Sequence, residues 1–178
     1  MENVKVLITE DEIAKRVAEL GDRISKDYAD KSILLIGVLK GAAVFMADLM
    51  RRIDIPVEID FMVVSSYGSG TQSAGDIKIL KDTDVSVAGR DVLIAEDILD
   101  TGITLYNLKE LLLKRGAKSL KICTIFNKPS RRRSPIDADY VGFEVPDEFV
   151  VGYGLDYDQK YRNLHYLGIL DPCVYEGR

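Results

Sequence analysis

The chain holds only two cysteines, Cys123 and Cys173, too few for a disulfide framework. It has one histidine, His165. It has no excess of basic charge: 24 lysines and arginines against 29 acids leave a formal net charge of −5. That balance argues against a dominant nucleic-acid face. It has no long apolar run either. The stretches I-L-L-I-G-V-L (33–39) and G-A-A-V-F-M-A (41–47) are split by Lys40, so no segment of 18 residues could span a bilayer. The first residues, M-E-N-V-K, lack the basic and apolar regions of a secretion signal, and a reduced, cytoplasmic protein is expected. What remains is ordinary: 47% hydrophobic and 30% charged residues over 178 positions exclude disordered, collagen-like and mucin-like classes. A chain of this size buries about 70% of its unfolded surface, enough for one core, and residues 1–178 are expected to form a single domain.

The pattern is that of an α/β protein. Thr9 and Glu12 fit a capping box, and Ile13, Val17, Leu20 and Ile24 behind them predict an amphipathic helix over about 11–28. Residues 32–38 are apolar without alternation, as in a strand buried on both faces. A helix is expected at 42–52 and a β-branched strand at 57–64, then a glycine- and serine-rich loop over 65–76. Strands at 77–80, 91–95 and 119–126 follow, with a helix at 104–115 stopped by Gly116. Strand–helix alternation implies a central, mostly parallel sheet flanked by helices. After Lys128 the chain is strand-rich, with strands expected at 140–144, 149–153 and 166–170.

The segment D-V-L-I-A-E-D-I-L-D-T-G-I-T-L (91–105) carries the chemistry. An apolar strand runs into Glu96-Asp97, then Asp100-Thr101-Gly102, then a helix opening at Thr104. In an open α/β sheet, ligands bind beyond the carboxyl ends of strands. Gly102 permits a tight turn, backbone N–H groups at a helix start face an anion, and Thr101 and Thr104 add hydroxyl donors around Ile103. Glu96 and Asp97 suit a vicinal diol or a hard divalent cation. A phosphate site beside a diol site spells a ribose 5-phosphate, with Asp100 between them near the anomeric carbon.

This string resembles the phosphoribosyl-pyrophosphate signature of the type I phosphoribosyltransferases, and more narrowly of the branch acting on hypoxanthine and guanine. The resemblance extends from about residue 7 to 171. It is supported by L-I-G-V-L-K-G (35–41), V-S-S-Y-G-S-G (64–70), I-F-N-K-P-S-R-R (125–132), P-D-E-F-V-V-G-Y-G-L-D-Y (146–157) and Y-R-N-L (161–164). It implies the corresponding fold, with a core over about 30–140, a small hood from the N-terminal segment and about 145–178, and a lid over 65–76 bearing Ser66 and Tyr67. It makes Lys40-Gly41 the pyrophosphate loop, with the Leu39–Lys40 bond often cis in the family, and Arg162 a further pyrophosphate contact. Lys128 would donate to the 6-oxo group of the purine. Phe149 would stack on the ring, and backbone groups at Val150 and Asp156 would read its edge. Mg2+ is the implied cofactor, held by Glu96, Asp97 and Asp156.

The implied reaction is transfer of 5-phosphoribosyl from phosphoribosyl pyrophosphate to N9 of hypoxanthine or guanine, giving IMP or GMP plus pyrophosphate. Xanthine is a third candidate base, and Asp100 is the general base. A homodimer or homotetramer is implied, with Lys40 near the contact. His165 then needs no role, and the run Arg131–Arg133 reads as solvated or as a subunit contact. Ala95 and Ile103 are mild departures from the family pattern that remove no functional group. Two other readings stay open on the residues alone. One is a regulator on the same fold that binds nucleic acid through Arg131–Arg133. The other is a response-regulator receiver, with Lys128-Pro129 as its Lys-Pro corner.

Overall fold

The apolar runs at 33–38 and 92–95 have no polar side, so each must sit where both faces are covered. In the computed structural model, which describes residues 3–66 and 77–175, they are adjacent central strands of a six-stranded sheet. In chain order the elements are β1 (Val4–Ile8), α1 (Glu10–Asp27), β2 (Ile33–Val38), α2 (Ala43–Met50), β3 (Val57–Ser66) and β4 (Ile77–Lys81). Then follow β5 (Asp91–Leu99), α3 (Ile103–Lys114), β6 (Ser119–Asn127), β7 (Tyr140–Glu144), β8 (Val150–Val151) and β9 (Leu167–Leu170). The sheet order is β4-β3-β2-β5-β6-β7, parallel except for the edge strand β4. Strands β1, β9 and β8 make a separate antiparallel sheet.

The pleat divides the core in two. Ile33, Leu35, Leu93, Ala95, Cys123 and Ile125 pack against α1 and α2 through Ile13, Val17, Leu20, Ile24, Phe45, Met46 and Leu49. The alternate residues Leu34, Ile36, Val92, Ile94 and Ile122 pack against Leu105, Leu108 and Leu112 of α3. Helix α1 starts with the expected capping box, Thr9 accepting from the Glu12 amide while the Glu12 carboxylate accepts from the Thr9 amide.

Several ends shift by a residue or two from the sequence reading, and four differences have a clear local reason. Strand β1 was not expected; it is short and half-exposed, and only its pairing with β9 makes it a strand. Strand β5 continues past Ala95 to Leu99, because Glu96, Ile98 and Leu99 pair with Thr124, Phe126 and Asn127 of β6. Strand β8 is shorter than 149–153, because Gly152, Tyr153 and Gly154 turn through positive φ. Helix α3 opens one residue early, at Ile103, after Gly102 at φ 77°.

Strand β2 connects to β3 on one side, and the chain then crosses back to β5 on the other side of β2. The carboxyl ends of β2 and β5 therefore diverge into connections on opposite sides. This is the switch-point crevice in which open α/β sheets bind ligands.

Candidate active site

A cavity of about 370 Å³ occupies that crevice. Its wall includes Leu39 and Gly41 after β2, Glu96 to Leu99 of β5, Asp100 to Gly102, Thr104, Asp156 and Arg162. The residues singled out around 91–105 thus converge. The peptide bond between Leu39 and Lys40 is cis. A larger cavity of about 680 Å³ lies along α1, α2 and residues 162–165 and shares Arg162, but it holds neither the acid pair nor the turn. Chemistry selects the smaller one.

The ladder with β6 carries two carboxylates past Ala95, Glu96 half-buried and Asp97 nearly dry. Asp97 is 8% exposed. Burial pushes the Glu96 carboxyl well above its ordinary range, and the neighbouring Asp97 charge pushes the same way. Burial also raises Asp97, while a hydrogen bond from Glu96, the Ile98 amide at 2.7 Å and the Arg162 charge act against it. Two acids that resist ionising together are a site short of positive charge. Among the described residues no group of three or more ligating side chains could hold a metal alone. Asp156, expected as a third metal carboxylate, is ion-paired with Arg162 at 2.7 Å and accepts from the Gln159 amide.

Beyond Leu99 the chain turns. A Cβ on Gly102 would lie 2.6 Å from Ile136 Cγ2, and its φ of 77° disfavours other residues. The amides of 100–104 have no hydrogen-bond partner among the described residues. Asp100 Oδ1 is buried without a partner, while its Oδ2 lies 3.9 Å from Arg131. Such an orphaned acceptor on a cavity wall suits a ligand donor. No side chain caps α3, so Thr101 and Thr104 contribute no cap to it.

Lys128 is not a surface lysine: it is 5% exposed. Its ammonium donates to the Glu148 carbonyl at 2.6 Å, and burial lowers its pKa while the nearby Asp100 charge raises it. Phe149 is half-exposed, stacked on Tyr175 at 5.0 Å with Tyr157 edge-on at 5.6 Å. Val150 is paired with Ile169 of β9. Arg162 also donates to the Gly154 carbonyl at 2.7 Å. Lys40 donates to Gln159 Oε1 at 3.1 Å. Ser66 ends β3, and Tyr67 with 67–76 of the expected lid lies outside the described residues.

The sequence reading of Arg131–Arg133 as solvated holds for the exposed Arg131 and Arg133 and needs correction at Arg132. Arg131 pairs with Asp147, and Arg132 is half-buried, donating to the Leu99 and Asp100 carbonyls and to Asn127 Oδ1 at 2.5 Å. Charge runs read as solvated, but here the strand end β6 turns Arg132 back onto the neighbouring turn. This takes the middle arginine out of any basic nucleic-acid face, and Arg131 is engaged by Asp147.

An open parallel sheet with an acid pair and a glycine turn opening a helix at its switch point is the arrangement in which α/β proteins bind nucleotides and sugar phosphates. The chain belongs to the phosphoribosyltransferases: the family model for the phosphoribosyl transferase domain matches residues 6–158. It is 60% identical over 173 residues to the hypoxanthine-guanine phosphoribosyltransferase of Bacillus subtilis (strain 168), covering 97% of this chain and 96% of that one. It is 54% identical to that of Streptococcus thermophilus (strain CNRZ 1066), over 96% of this chain and 95% of the relative. Among solved structures it matches a hypoxanthine phosphoribosyltransferase from Staphylococcus aureus with a TM-score of 0.93 and 53% identity, covering 96% of this chain and 93% of that one. The protein is a phosphoribosyltransferase enzyme, and the receiver reading is excluded.

The acid pair makes a prediction about stability. Both carboxyls hold a proton more tightly folded than at their ordinary values of 4.5 and 3.8. Their contribution therefore favours the folded state at low pH and is lost as pH rises above those values. Glu96→Gln should raise Tm relative to the parent protein, with a gap that widens from about pH 5 to about pH 8. Thermal scans in metal-free buffer measure it; a gap that is constant or narrows with pH contradicts the assigned burial cost.

Proposed function

We propose that the crevice transfers the 5-phosphoribosyl group of phosphoribosyl pyrophosphate to N9 of hypoxanthine or guanine, giving IMP or GMP and pyrophosphate. Xanthine is the third base to test. The observation that carries this reading is the buried, unpartnered Asp100 Oδ1 on the cavity wall that also holds Glu96 and Asp97, with its charge felt by the buried ammonium of Lys128.

In the reaction the bond from C1′ to the pyrophosphate oxygen breaks and the bond to N9 forms. The amides of 100–104, with the Thr101 and Thr104 hydroxyls, hold the 5-phosphate, so remote binding energy fixes the reacting carbon. Glu96 and Asp97 hold the ribose diol. Asp100 takes the N7 proton as N9 attacks. Lys40, Gly41 and Arg162 receive the pyrophosphate. Lys128 has only donors, so it satisfies a 6-oxo group and meets the 6-amino group of adenine donor to donor. Phe149 supplies the stacking face, with backbone groups at Val150 and Asp156 reading the base edge.

The acid pair, rich in oxygen donors and short of cations, fits Mg2+. Glu96 and Asp97 would hold it, with Asp156 on the same cavity wall. Bound there, Mg2+ would stabilise the charge of the departing pyrophosphate. Having few protein ligands suits Mg2+, which keeps waters and takes substrate phosphate oxygens.

A Mg2+-dependent assay with phosphoribosyl pyrophosphate and a panel of purines and pyrimidines tests the reading directly; turnover of a pyrimidine or of adenine in preference to 6-oxopurines refutes it. Asp100→Asn should keep substrate binding and lower kcat by about 10²–10⁴-fold, and near-normal turnover would reject the general base. Lys128→Ala should raise KM for the base and weaken discrimination against adenine. Steady-state kinetics with both bases read this out, and unchanged selectivity would remove Lys128 from base recognition.

A further inference from the structure

The phosphate turn works only if its amides face the ligand, and a peptide plane sets how that is achieved. In a trans peptide the carbonyl and the following N–H point in opposite directions. Turning three carbonyls away from the cavity therefore aims the next three amides into it. The carbonyls so turned are desolvated and need donors of their own.

The segment after β6 supplies those donors. The Leu99 carbonyl accepts from the Lys128 amide at 2.9 Å and from Arg132 Nη1 at 3.1 Å. The Asp100 carbonyl accepts from the same Nη1. The Thr101 carbonyl accepts from the Arg133 amide at 2.9 Å. The Arg132 guanidinium is anchored in turn by Asn127 Oδ1 at 2.5 Å through Nη2. A single side chain thus serves two of the three carbonyls and fixes itself to the end of β6.

We infer that Arg132 is a positioning residue for the phosphate turn: it holds the carbonyls of Leu99 and Asp100 backward so that the amides of 100 and 101 meet the 5-phosphate. The inference rests on the cradle assignment made under Proposed function. The planar guanidinium suits the task because one nitrogen reaches both carbonyls while the other reaches Asn127. A lysine at 132 keeps the charge but has a single nitrogen to place. Lys128 begins the same segment, so the turn and the purine lysine are held by one short length of chain.

The test compares full-length parent, Arg132→Met, Arg132→Lys and Asn127→Ala in steady-state assays that vary phosphoribosyl pyrophosphate at saturating hypoxanthine. Thr101→Ala and Thr104→Ala serve as controls on the cradle itself. KM is the informative readout, because a variant that merely folds less well lowers the active fraction and leaves KM unchanged. Arg132→Met should raise KM for phosphoribosyl pyrophosphate by about 10- to 100-fold, the cost of a misplaced positioning contact. Arg132→Lys and Asn127→Ala should move it in the same direction by less. If Thr101→Ala and Thr104→Ala raise KM while Arg132→Met and Asn127→Ala do not, the positioning role is overturned and the cradle stands. If none of the five variants moves KM, the cradle assignment itself fails and the inference with it. Should Arg132→Met not accumulate as folded protein, Asn127→Ala decides between these outcomes.

Discussion

Everything in the crevice follows from the placement of β5. It lies between two parallel neighbours, β2 and β6, and its residues 92–95 are wholly buried. A strand so placed has no solvent side on which to carry polar residues. When the ladder continues past Ala95, the Asp97 carboxylate is delivered into a nearly dry position with the half-buried Glu96 beside it, and among the described residues no lysine or arginine is bonded to either. The fold thereby holds two like charges whose joint ionisation is disfavoured. Such an arrangement costs stability unless positive charge arrives from outside. The diol and cation chemistry proposed for the site, and the stability it forgoes without them, are two aspects of that one placement.

Three residues later the same strand end meets the opposite electrostatic demand. A phosphate needs positive potential, and in the proposed cradle neutral amides rather than a lysine would provide it. Amides do not attract the acid pair, so acids and anion cradle can sit a few residues apart without pairing with each other. Positive side chains are kept at the rim and engaged elsewhere: Lys40 by Gln159, Arg162 by Asp156 and Gly154, Arg132 by backbone carbonyls.

Much of this was legible in the sequence, and the limits have physical causes. The apolar periodicities of 11–28 and 33–38 and the capping box reflect local constraints, and they mark α1 and β2 to within a residue or two. The string 91–105 was legible because acids, glycine and threonine have few reasons to follow a buried strand in that order. Strand β1 was not, because its half-exposed residues become a strand only through pairing with β9. The end of β5 was hidden for a related reason: hydrophobicity marks where burial by apolar contact stops, while the ladder is held by backbone. Arg132 was misread because its composition signal, three arginines in a row, is that of a solvated run. Its actual surroundings depend on β6 ending beside β5, a contact made across the sheet. A signal was present in its spacing from Lys128, one turn of chain after a strand end, but spacing alone names no partner.

The close packing of backbone explains why the crevice holds its shape with so few rigid side chains. A Cβ on Gly41 would collide with the Asp97 carboxylate, and one on Gly154 would collide with the Gly41 carbonyl. The loop after β2 is therefore pinned between the acid pair of the large sheet and the turn at 152–154, which follows β8 of the small sheet. Arg162 spans the same gap, bonded to the Gly154 carbonyl and to Asp156. The contact between Gly154 and the Gly41 carbonyl is backbone on backbone and leaves no rotamer by which it could yield, while Gly41 meets the Asp97 side chain, so loop and turn are held together by sterics and the acid pair closes the other side. This also separates two kinds of tolerance in the molecule. The strands that bury leucine and isoleucine can accept volume-conserving exchange, whereas the loop after β2 has no room for one methyl group. The narrowest tolerance in the chain lies where the absence of a side chain brings the proposed pyrophosphate and ribose sites within reach of each other.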